Sequence, residues 1–208
     1  MNHTPTVGDT VSTGRKPSAL NATTTSRQSA PESTVGQAQQ IALLCSARCP
    51  GDLILKAYDF AVQACAAGVT IISGFHSAVE RDCLSLLLKG KQKVILCLAR
   101  DATGWRVPAH LRRAVAEGRI EIRSGCTGER RVTAKTAVLR NEYVAQIADQ
   151  VLVVYATPGG KLEALTHRLI ANGKLVLTFD APYNENLIAH GARPLETRDG
   201  LDMSQRKG

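Results

Sequence analysis

Apolar and polar positions follow two different patterns along this chain, and the change comes near residue 40. Residues 1–38 are rich in Thr, Ser, Pro, Gln and Asn and contain almost no large apolar side chains. Such a segment buries too little apolar surface to offset the entropy lost on ordering, so we expect a disordered tail. From residue 41 onward, short apolar runs alternate with amphipathic stretches. We therefore predict one domain over residues 39–196 and a polar tail over residues 197–208.

Six short apolar runs in this domain predict strands, at residues 41–45, 69–72, 93–98, 119–123, 151–155 and 175–179. The stretches between them have helical spacing, which predicts helices at residues 52–67, 76–88, 108–117 and 132–148, another after Gly160, and a short one at residues 184–190. Strands that alternate with helices are typical of an α/β fold. We expect a Rossmann-like, doubly wound, mostly parallel sheet of about six strands flanked by helices.

The loops that follow the predicted strands are the expected ligand site, because ligands bind beyond the carboxyl ends of the strands in such sheets. These loops supply hydroxyls, backbone N–H groups and positive charges, which together can hold a phosphate by charge-assisted hydrogen bonds. The candidate residues in them are Ser46, Arg48, Ser73, Gly74, His76, Ser77, Gly159, Gly160 and Lys161.

A Pro-Gly-Gly turn at residues 158–160 links a buried-type strand to a helix. Backbone N–H groups and the positive end of that helix would face a ligand above the sheet edge, which suits a phosphate. The alternative is that two glycines simply make a tight turn. Arg140 and Asn141 also have two interpretations, since the middle of a helix could present them to a ligand or to solvent.

Positive charge is concentrated in the middle of the chain. The net charge is +8, and residues 104–143 carry nine Arg and Lys residues against four Glu residues. This block favours an anionic partner, of which nucleic acid is the commonest, over a merely solvated basic face. With only eight aromatic residues, base stacking could involve few positions, of which Phe75, Trp105 and Tyr155 are candidates.

Other classes of protein fit the sequence poorly. There is no run of about 18 apolar residues, so we expect no membrane span, and the N-terminus lacks the apolar core of a signal peptide. The six cysteines are therefore expected to be reduced thiols. Cys45 and Cys49 have no second Cys or His pair to complete a four-ligand set, so we predict no metal site and no cofactor.

Four portions of the chain together resemble the Rossmann-like core of the DprA/Smf DNA-processing family, within a wider group that includes the LOG proteins. They are the strand, Ser-Arg loop, helix and Ser-Gly turn of residues 41–74, the helix and strand of 78–99, the Arg-Asn helix and strand of 139–156, and the closing portion of 159–179 with 186–196. The resemblance implies a cytoplasmic, homodimeric protein that binds single-stranded DNA. It would help to hand DNA to a recombinase during DNA uptake (natural transformation) or recombination.

The family's motif positions correspond here to Arg48, Ser73, Gly74, Arg140, Asn141 and Gly160. Two departures stand out. The family continues its Ser-Gly turn with Ala-Arg-Gly-Ile-Asp, whereas this chain has Ser77 where that Arg would be. Its later hydroxyl pair is also missing, and Lys161 supplies a charge instead. These departures weaken the expectation of recombinase loading more than that of the fold.

Two alternatives remain open at the same pocket. A nucleotide phosphoribohydrolase of the LOG type has the turn Pro-Gly-Gly-x-Gly-Thr-x-x-Glu, whose opening matches residues 158–160. Leu162, Glu163 and Thr166 stand where its Gly, Thr and catalytic Glu would be, so Glu163 is a weak candidate for a general base and otherwise a favourable acid in a helix's first turn. The other alternative is a sensor that binds a nucleotide-derived ligand without turning it over. We expect binding rather than catalysis.

Overall fold

A computed structural model describes residues 39–195. The tails predicted at residues 1–38 and 197–208 lie outside this range. Seven strands are present in the described range: β1 Gln40–Cys45, β2 Thr70–Ser73, β3 Val94–Leu98, β4 Ile120–Ser124, β5 Gln150–Tyr155, β6 Val176–Phe179 and β7 Arg193–Leu195. The helices there are α1 Gly51–Ala67, α2 Ala78–Leu87, α3 Arg112–Ala116, α4 Ala134–Ile147, α5 Lys161–Ala171 and α6 Glu185–Ala189, with 3-10 turns at Ala109–Leu111 and Pro182–Asn184.

All seven strands form one parallel sheet in the order β4-β3-β2-β1-β5-β6-β7. The chain winds outward from β1 to β4, then returns to the middle and winds the other way from β5 to β7. The Rossmann-like, doubly wound prediction is therefore confirmed, and the direction of winding reverses between β1 and β5. About six strands were predicted, and the described range contains seven. The missing strand is the edge strand β7, where Pro194 is tolerated because an edge position can do without its N–H group.

The sheet separates two hydrophobic cores, because successive side chains of a strand point to opposite faces. Ile41 and Leu43 pack with α1, α2 and α3 on one face. Ala42 and Leu44 pack with α4, α5 and α6 on the other. Burial on both faces explains why the strands are continuous apolar runs rather than alternating ones. In the described range, no helix is long and apolar enough to cross a membrane.

Helix α2 begins two residues later than the sequence pattern predicts. Ser77 is its N-cap, and the Ser77 side chain accepts a hydrogen bond from the Glu80 N–H while the Glu80 side chain accepts one from the Ser77 N–H. This reciprocal capping box fixes the start of the helix. As a result, His76 stays in the loop at the carboxyl end of β2.

Candidate functional site

A cavity of about 390 Å³ opens at the carboxyl ends of β1 and β5, where the winding of the sheet reverses. This is where ligands bind in doubly wound sheets. Seven of the predicted site residues line it: Ser46, His76, Ser77, Arg140, Asn141, Gly160 and Lys161. The lining also includes eight residues that the sequence did not indicate: Cys45, Ala47, Glu80, Ala134, Ala137, Val138, Thr157 and Leu162.

Arg140 is the buried cation of this cavity. It is 6% exposed, so the solvent-facing interpretation of this position is wrong. Its Nε and Nη2 atoms donate to the Asn141 Oδ1 atom at 3.2 and 2.8 Å, and it forms no ion pair with a carboxylate of residues 39–195. Burial lowers the pKa of Arg140, although the charge of nearby Glu80 opposes this shift. The guanidinium keeps its proton because arginine's ordinary pKa is so high, which leaves a buried positive charge beside a cavity.

The tight turn after β2 makes room for this guanidinium. A Cβ atom at Gly74 would lie 2.5 Å from the Cζ atom and 2.6 Å from the Cδ atom of Arg140. The Ser73 hydroxyl accepts a hydrogen bond from the Phe75 N–H at 3.1 Å, and Phe75 has a φ of 45°. A left-handed conformation is rare for a bulky residue and marks a constrained turn. Ser73 and Gly74 therefore shape the turn and do not themselves line the cavity.

Glu80 ties three backbone segments of the site together. Its side chain is buried, with the residue 3% exposed. Its Oε1 atom accepts a hydrogen bond from the Cys45 N–H at 2.9 Å, and its Oε2 atom accepts from the N–H groups of His76 at 2.7 Å and Ser77 at 3.2 Å. The end of β1 is thus joined to the turn after β2. The Ser-x-x-Glu spacing of Ser77 and Glu80 was the sequence signal that could have identified this residue.

The loops after β1 and β5 are also linked to each other. The Ser46 hydroxyl accepts a hydrogen bond from the Thr157 N–H at 3.0 Å, and the Ser46 N–H donates to the Tyr155 carbonyl at 2.9 Å. Gly160 is the N-cap of α5, and its N–H donates to the Thr157 carbonyl, which closes a turn. A Cβ atom on residue 160 would lie only 2.7 Å from that carbonyl oxygen. Lys161 follows at the exposed rim.

Glu163 forms its hydrogen bonds outside the cavity. Its carboxylate accepts hydrogen bonds from the Gly159 N–H at 2.6 Å and from the Asn186 side-chain amide. These bonds, led by the one from Asn186, hold the pKa of Glu163 below its usual range. A depressed pKa makes a carboxylate a weaker base, which argues against the general-base interpretation. The Gly159 N–H donates to Glu163 and is therefore not available to a ligand. Neither Gly159 nor Glu163 lines the cavity.

The interaction of Glu163 predicts an acid-dependent loss of stability. A carboxylate whose pKa is depressed in the folded state stabilises that state at pH values above its unfolded-state pKa of about 4.3. This stabilisation is lost as the pH falls through the folded-state pKa. We expect Glu163→Gln to lower the free energy of unfolding by about 0.5–1 kcal/mol at pH 7 and by less as the pH falls below about 4. Urea unfolding across this pH range measures the difference. Glu185→Gln is the control, and a difference independent of pH would contradict the assignment.

Arg48 and the three aromatic candidates lie elsewhere. Arg48 is exposed in the loop after β1 but does not line the cavity. Phe75 is buried in the core, and Trp105 and Tyr155 pack against the same core. Of the three candidates for base stacking, Phe75 is excluded as a platform, because the residue is only 6% exposed.

The basic block divides into neutralised and available charges. Three of its arginines form ion pairs: Arg113 and Arg119 with Glu117, and Arg123 with Glu121. By contrast, Arg130, Arg131 and Lys135 are exposed and form no ion pair with a described carboxylate. They flank Ala134, which lines the cavity at the start of α4. Lys135 lies in the first turn of α4, and Arg130 and Arg131 lie in the loop just before that helix.

No protein-family model matches the sequence, and the comparison with curated proteins finds no match. Among solved structures, DNA processing protein A (DprA) of Streptococcus pneumoniae superposes with a TM-score of 0.60 at 17% identity, over 76% of this chain and 58% of that one. DprA of Helicobacter pylori, described with a single-stranded DNA binding mode, gives 0.62 at 15% identity over 77% of both chains. The molybdenum cofactor binding protein of Rippkaea orientalis gives 0.56 at 14% identity, over 77% of this chain and 90% of its own. At these identities the likeness is one of fold, and the chain has a DprA-like Rossmann fold.

Proposed function

We propose that this chain binds single-stranded DNA and holds one backbone phosphate in the cavity between β1 and β5. The observation that carries the proposal is the buried Arg140 guanidinium, which has no carboxylate partner among the described residues. A buried charge without a partner costs several kcal/mol, and an anion at the guanidinium offsets that cost. Phosphate suits arginine because the planar fork of donors matches its oxygens.

The surroundings of Arg140 fit a phosphate better than a carboxylate-bearing peptide. Lys161 adds a positive charge at the start of α5, whose 11 residues place a positive helix end at the rim. The Ser46 hydroxyl and the Asn141 side chain also line the cavity and can donate hydrogen bonds. Glu80 is negative, but its oxygens already accept three backbone N–H groups. The cavity therefore combines two cations with neutral donors.

A strand of nucleic acid, rather than an isolated phosphate, accounts for the charges beyond the cavity. Arg130, Arg131 and Lys135 are exposed cations close in sequence to Ala134, which lines the cavity at the start of α4. Successive phosphates of a single strand would meet these cations, and affinity would then fall steeply with salt. Because Phe75 is buried in the core, binding would depend on contacts with phosphates more than on base stacking.

The wider biological role extends the same proposal. The domain of residues 39–196 would serve DNA processing during uptake or recombination, as a cytoplasmic homodimer that passes single-stranded DNA to a recombinase. Fold similarity to two DNA processing proteins supports this role. The chain spans 58% of the length of the S. pneumoniae protein, so any function carried by the rest of that protein needs its own test.

A small nucleotide-derived ligand is the second candidate. A concave cavity of about 390 Å³ falls within the range typical of small-molecule sites. The molybdenum cofactor binding protein, whose own length is 90% covered, is a protein of similar fold whose name states a small-molecule ligand. Phosphoribohydrolase activity has less support, because Glu163 bonds to Gly159 and Asn186 outside the cavity.

The two candidates are separated by a filter-binding titration of the full chain at two salt concentrations. The ligands are a single-stranded oligonucleotide and the nucleoside 5′-monophosphates, and release of free base is assayed in parallel. We expect oligonucleotide binding that weakens with salt. Lys161→Gln should weaken it about two- to fivefold and reduce the slope of log affinity against log salt by about 0.7, the value for one phosphate contact on a single strand.

Lys89→Gln is the matched control, since Lys89 is an exposed lysine just beyond the far end of α2. Its affinity and salt slope should equal those of the wild type. Tight mononucleotide binding with no affinity for the oligonucleotide would overturn the DNA proposal in favour of the small ligand. Base release that is lost in Glu163→Gln would restore the enzymatic alternative.

A further inference from the structure

The loops that follow β3 and β4 are joined to each other by hydrogen bonds around Asp101. Asp101 lies just after β3, and its Oδ2 atom accepts a hydrogen bond from the Gly128 N–H, in the loop after β4, at 2.6 Å. Its own N–H donates to the Glu129 carbonyl at 2.7 Å. The Ser124 hydroxyl, at the end of β4, donates to the Arg100 carbonyl at 2.6 Å. The two loops are therefore linked at three points.

The loop after β4 also contacts the helix that forms one wall of the cavity. The Cys126 thiol donates to the Thr136 carbonyl, with 3.6 Å between the two atoms. Thr136 lies in the first turn of α4, between Ala134 and Ala137, which line the cavity. Thr133, at the end of the loop, is fixed as the N-cap of α4 by reciprocal hydrogen bonds with Thr136. A continuous set of contacts thus leads from the cavity wall to the loop after β3.

These two loops contain four arginines. They are Arg100 and Arg106 after β3, and Arg130 and Arg131 after β4. None of the four forms an ion pair with a carboxylate of residues 39–195. The acidic groups of the loops are Glu129 and Asp101, whose carboxylate already accepts backbone N–H groups. Because Glu129 is bonded to Asp101 and Thr133 caps α4, the segment that carries Arg130 and Arg131 is fixed at both ends.

The segment on the other side of the cavity has a different charge. β3 and β4 lie on one side of β1, whereas β6 and β7 lie beyond β5. Residues 180–184, which join β6 to α6, contain one charged residue, Asp180, and α6 begins with Glu185. Lys56 supplies a single positive charge there and donates to the Asp180 carbonyl. A polyanion that leaves the cavity is therefore attracted toward β4 rather than toward β6.

We propose that single-stranded DNA held at one phosphate in the cavity continues across the loops after β3 and β4, and that Asp101 positions these loops. This inference rests on the proposed function and adds the direction in which the strand runs. Neighbouring strands lie about 4.8 Å apart, so the three spacings from β1 to β4 give a path of about 14 Å along the carboxyl edge of the sheet. Arg130 and Arg131 would contact the next phosphates, whose oxygens match the fork of donors on a guanidinium.

Asp101→Asn distinguishes positioning from simple electrostatics. Hydrogen bonds, led by the one from the Gly128 N–H, lower the pKa of Asp101 to about 2, so its carboxylate is charged at neutral pH. Removing a negative charge beside bound DNA would by itself strengthen binding. However, the new amide NH₂ group would face the N–H of Thr103 or Gly128, which accept no hydrogen bond, and the loops would separate.

We expect Asp101→Asn to weaken oligonucleotide binding about 5- to 30-fold, the cost of fixing the backbone of one residue on binding. Trypsin cleavage after Arg130 and Arg131, followed by mass spectrometry without DNA, should become faster in this variant. Stronger oligonucleotide binding by Asp101→Asn, or unchanged cleavage rates, would overturn the positioning role.

The path itself is tested by the affinities of the full chain for a dinucleotide and for an oligonucleotide of about 12 nucleotides, a length that single-strand-binding domains cover. Filter binding with competition measures both. The longer strand offers more binding registers, but this factor is the same for every variant, so the ratio of the two affinities is compared between variants. In Arg130→Gln/Arg131→Gln the ratio should fall about 4- to 25-fold, since each exposed charge contact contributes about two- to fivefold. The salt slope for the longer strand should decrease by about 1.4.

The matched control is Lys89→Gln/Lys91→Gln, which removes two exposed lysines before β3, at the opposite edge of the sheet. It should keep the wild-type ratio. The direction of the strand is tested by adding one negative charge at an exposed position on either side. Thr127→Glu, in the loop after β4, should weaken binding about two- to fivefold, whereas Tyr183→Glu, after β6, should bind as the wild type does.

The failure of this inference is distinguishable from that of the proposed function. A wild-type ratio in Arg130→Gln/Arg131→Gln, or a larger effect of Tyr183→Glu than of Thr127→Glu, would overturn the path and leave the phosphate at Arg140 in place. If the wild type binds no oligonucleotide, the proposed function fails and the path fails with it. The trypsin cleavage rates would still show whether Asp101 holds the two loops together.

Discussion

Replacing Gly74 with alanine is expected to weaken oligonucleotide binding about 10- to 100-fold, the effect of losing a hydrogen bond to a charged group, although Gly74 does not line the cavity. The new Cβ atom would lie 2.5 Å from the Cζ atom of Arg140. Since two carbon atoms normally pack at about 3.5–4.0 Å, the side chain of Arg140 must move. The charge would remain in the protein but no longer at the position where the phosphate is held.

Three variants separate the position of the charge from its presence. Arg140→Gln removes the charge and should weaken binding to a similar extent as Gly74→Ala. Gly51→Ala is the control for a glycine substitution, because a Cβ atom there would meet no atom within 4 Å. Filter binding measures affinity, and urea unfolding verifies that each variant is folded. Wild-type affinity in a folded Gly74→Ala would contradict the assignment of Arg140 as the phosphate ligand.

The fold was predictable from the sequence because both faces of the sheet are buried. Continuous apolar runs such as residues 41–45 and 151–155 are what a doubly covered parallel strand requires, and the structure places β1 and β5 there. The edge strand β7 gave no such signal. It has three residues, one of them a proline, and two of the three are exposed.

The candidate site was only partly predictable, because its decisive features are tertiary. Loop positions such as Ser46 and Gly160 could be placed at one edge of the sheet from strand order alone, and they line the cavity. The burial of Arg140 was less evident. It shares a face of α4 with Thr136 and Val144 at spacings of four, but a stripe of mixed polarity does not indicate which face meets the sheet. Glu163 bonds to Asn186, 23 residues away in sequence, and local spacing contains no information about such a contact.

The burial of Arg140 and that of Glu80 belong to one arrangement. Both charges lie at the carboxyl edge of the sheet, yet they form no ion pair with each other. Glu80 instead accepts backbone N–H groups from Cys45, His76 and Ser77. Because the backbone satisfies this carboxylate, the guanidinium bonds only to the neutral Asn141 side chain among the described residues, and its charge can pair with an external anion. The Glu80 carboxylate therefore fixes the loops of the site, and the Arg140 guanidinium is available to the ligand.

Glu80→Gln is accordingly expected to destabilise the protein rather than simply alter a ligand contact. A glutamine side chain has one oxygen and one NH₂ group, so at least one of the three backbone donors would face another donor. Losing hydrogen bonds to a buried charged group should lower the free energy of unfolding by about 2–4 kcal/mol. For a domain of this size, each kcal/mol corresponds to about 2–4 °C in Tm. Urea and thermal unfolding measure both quantities.

The matched control is Glu142→Gln, which breaks a surface ion pair with Arg168. Because exposed ion pairs contribute about 0–1 kcal/mol, this variant should unfold almost as the wild type does. A loss for Glu80→Gln no larger than that of the control would mean that Glu80 does not hold the loops together. If the loss is large, partial restoration of binding at low temperature, where more of the variant is folded, would show that Glu80 supports the site without contacting the ligand.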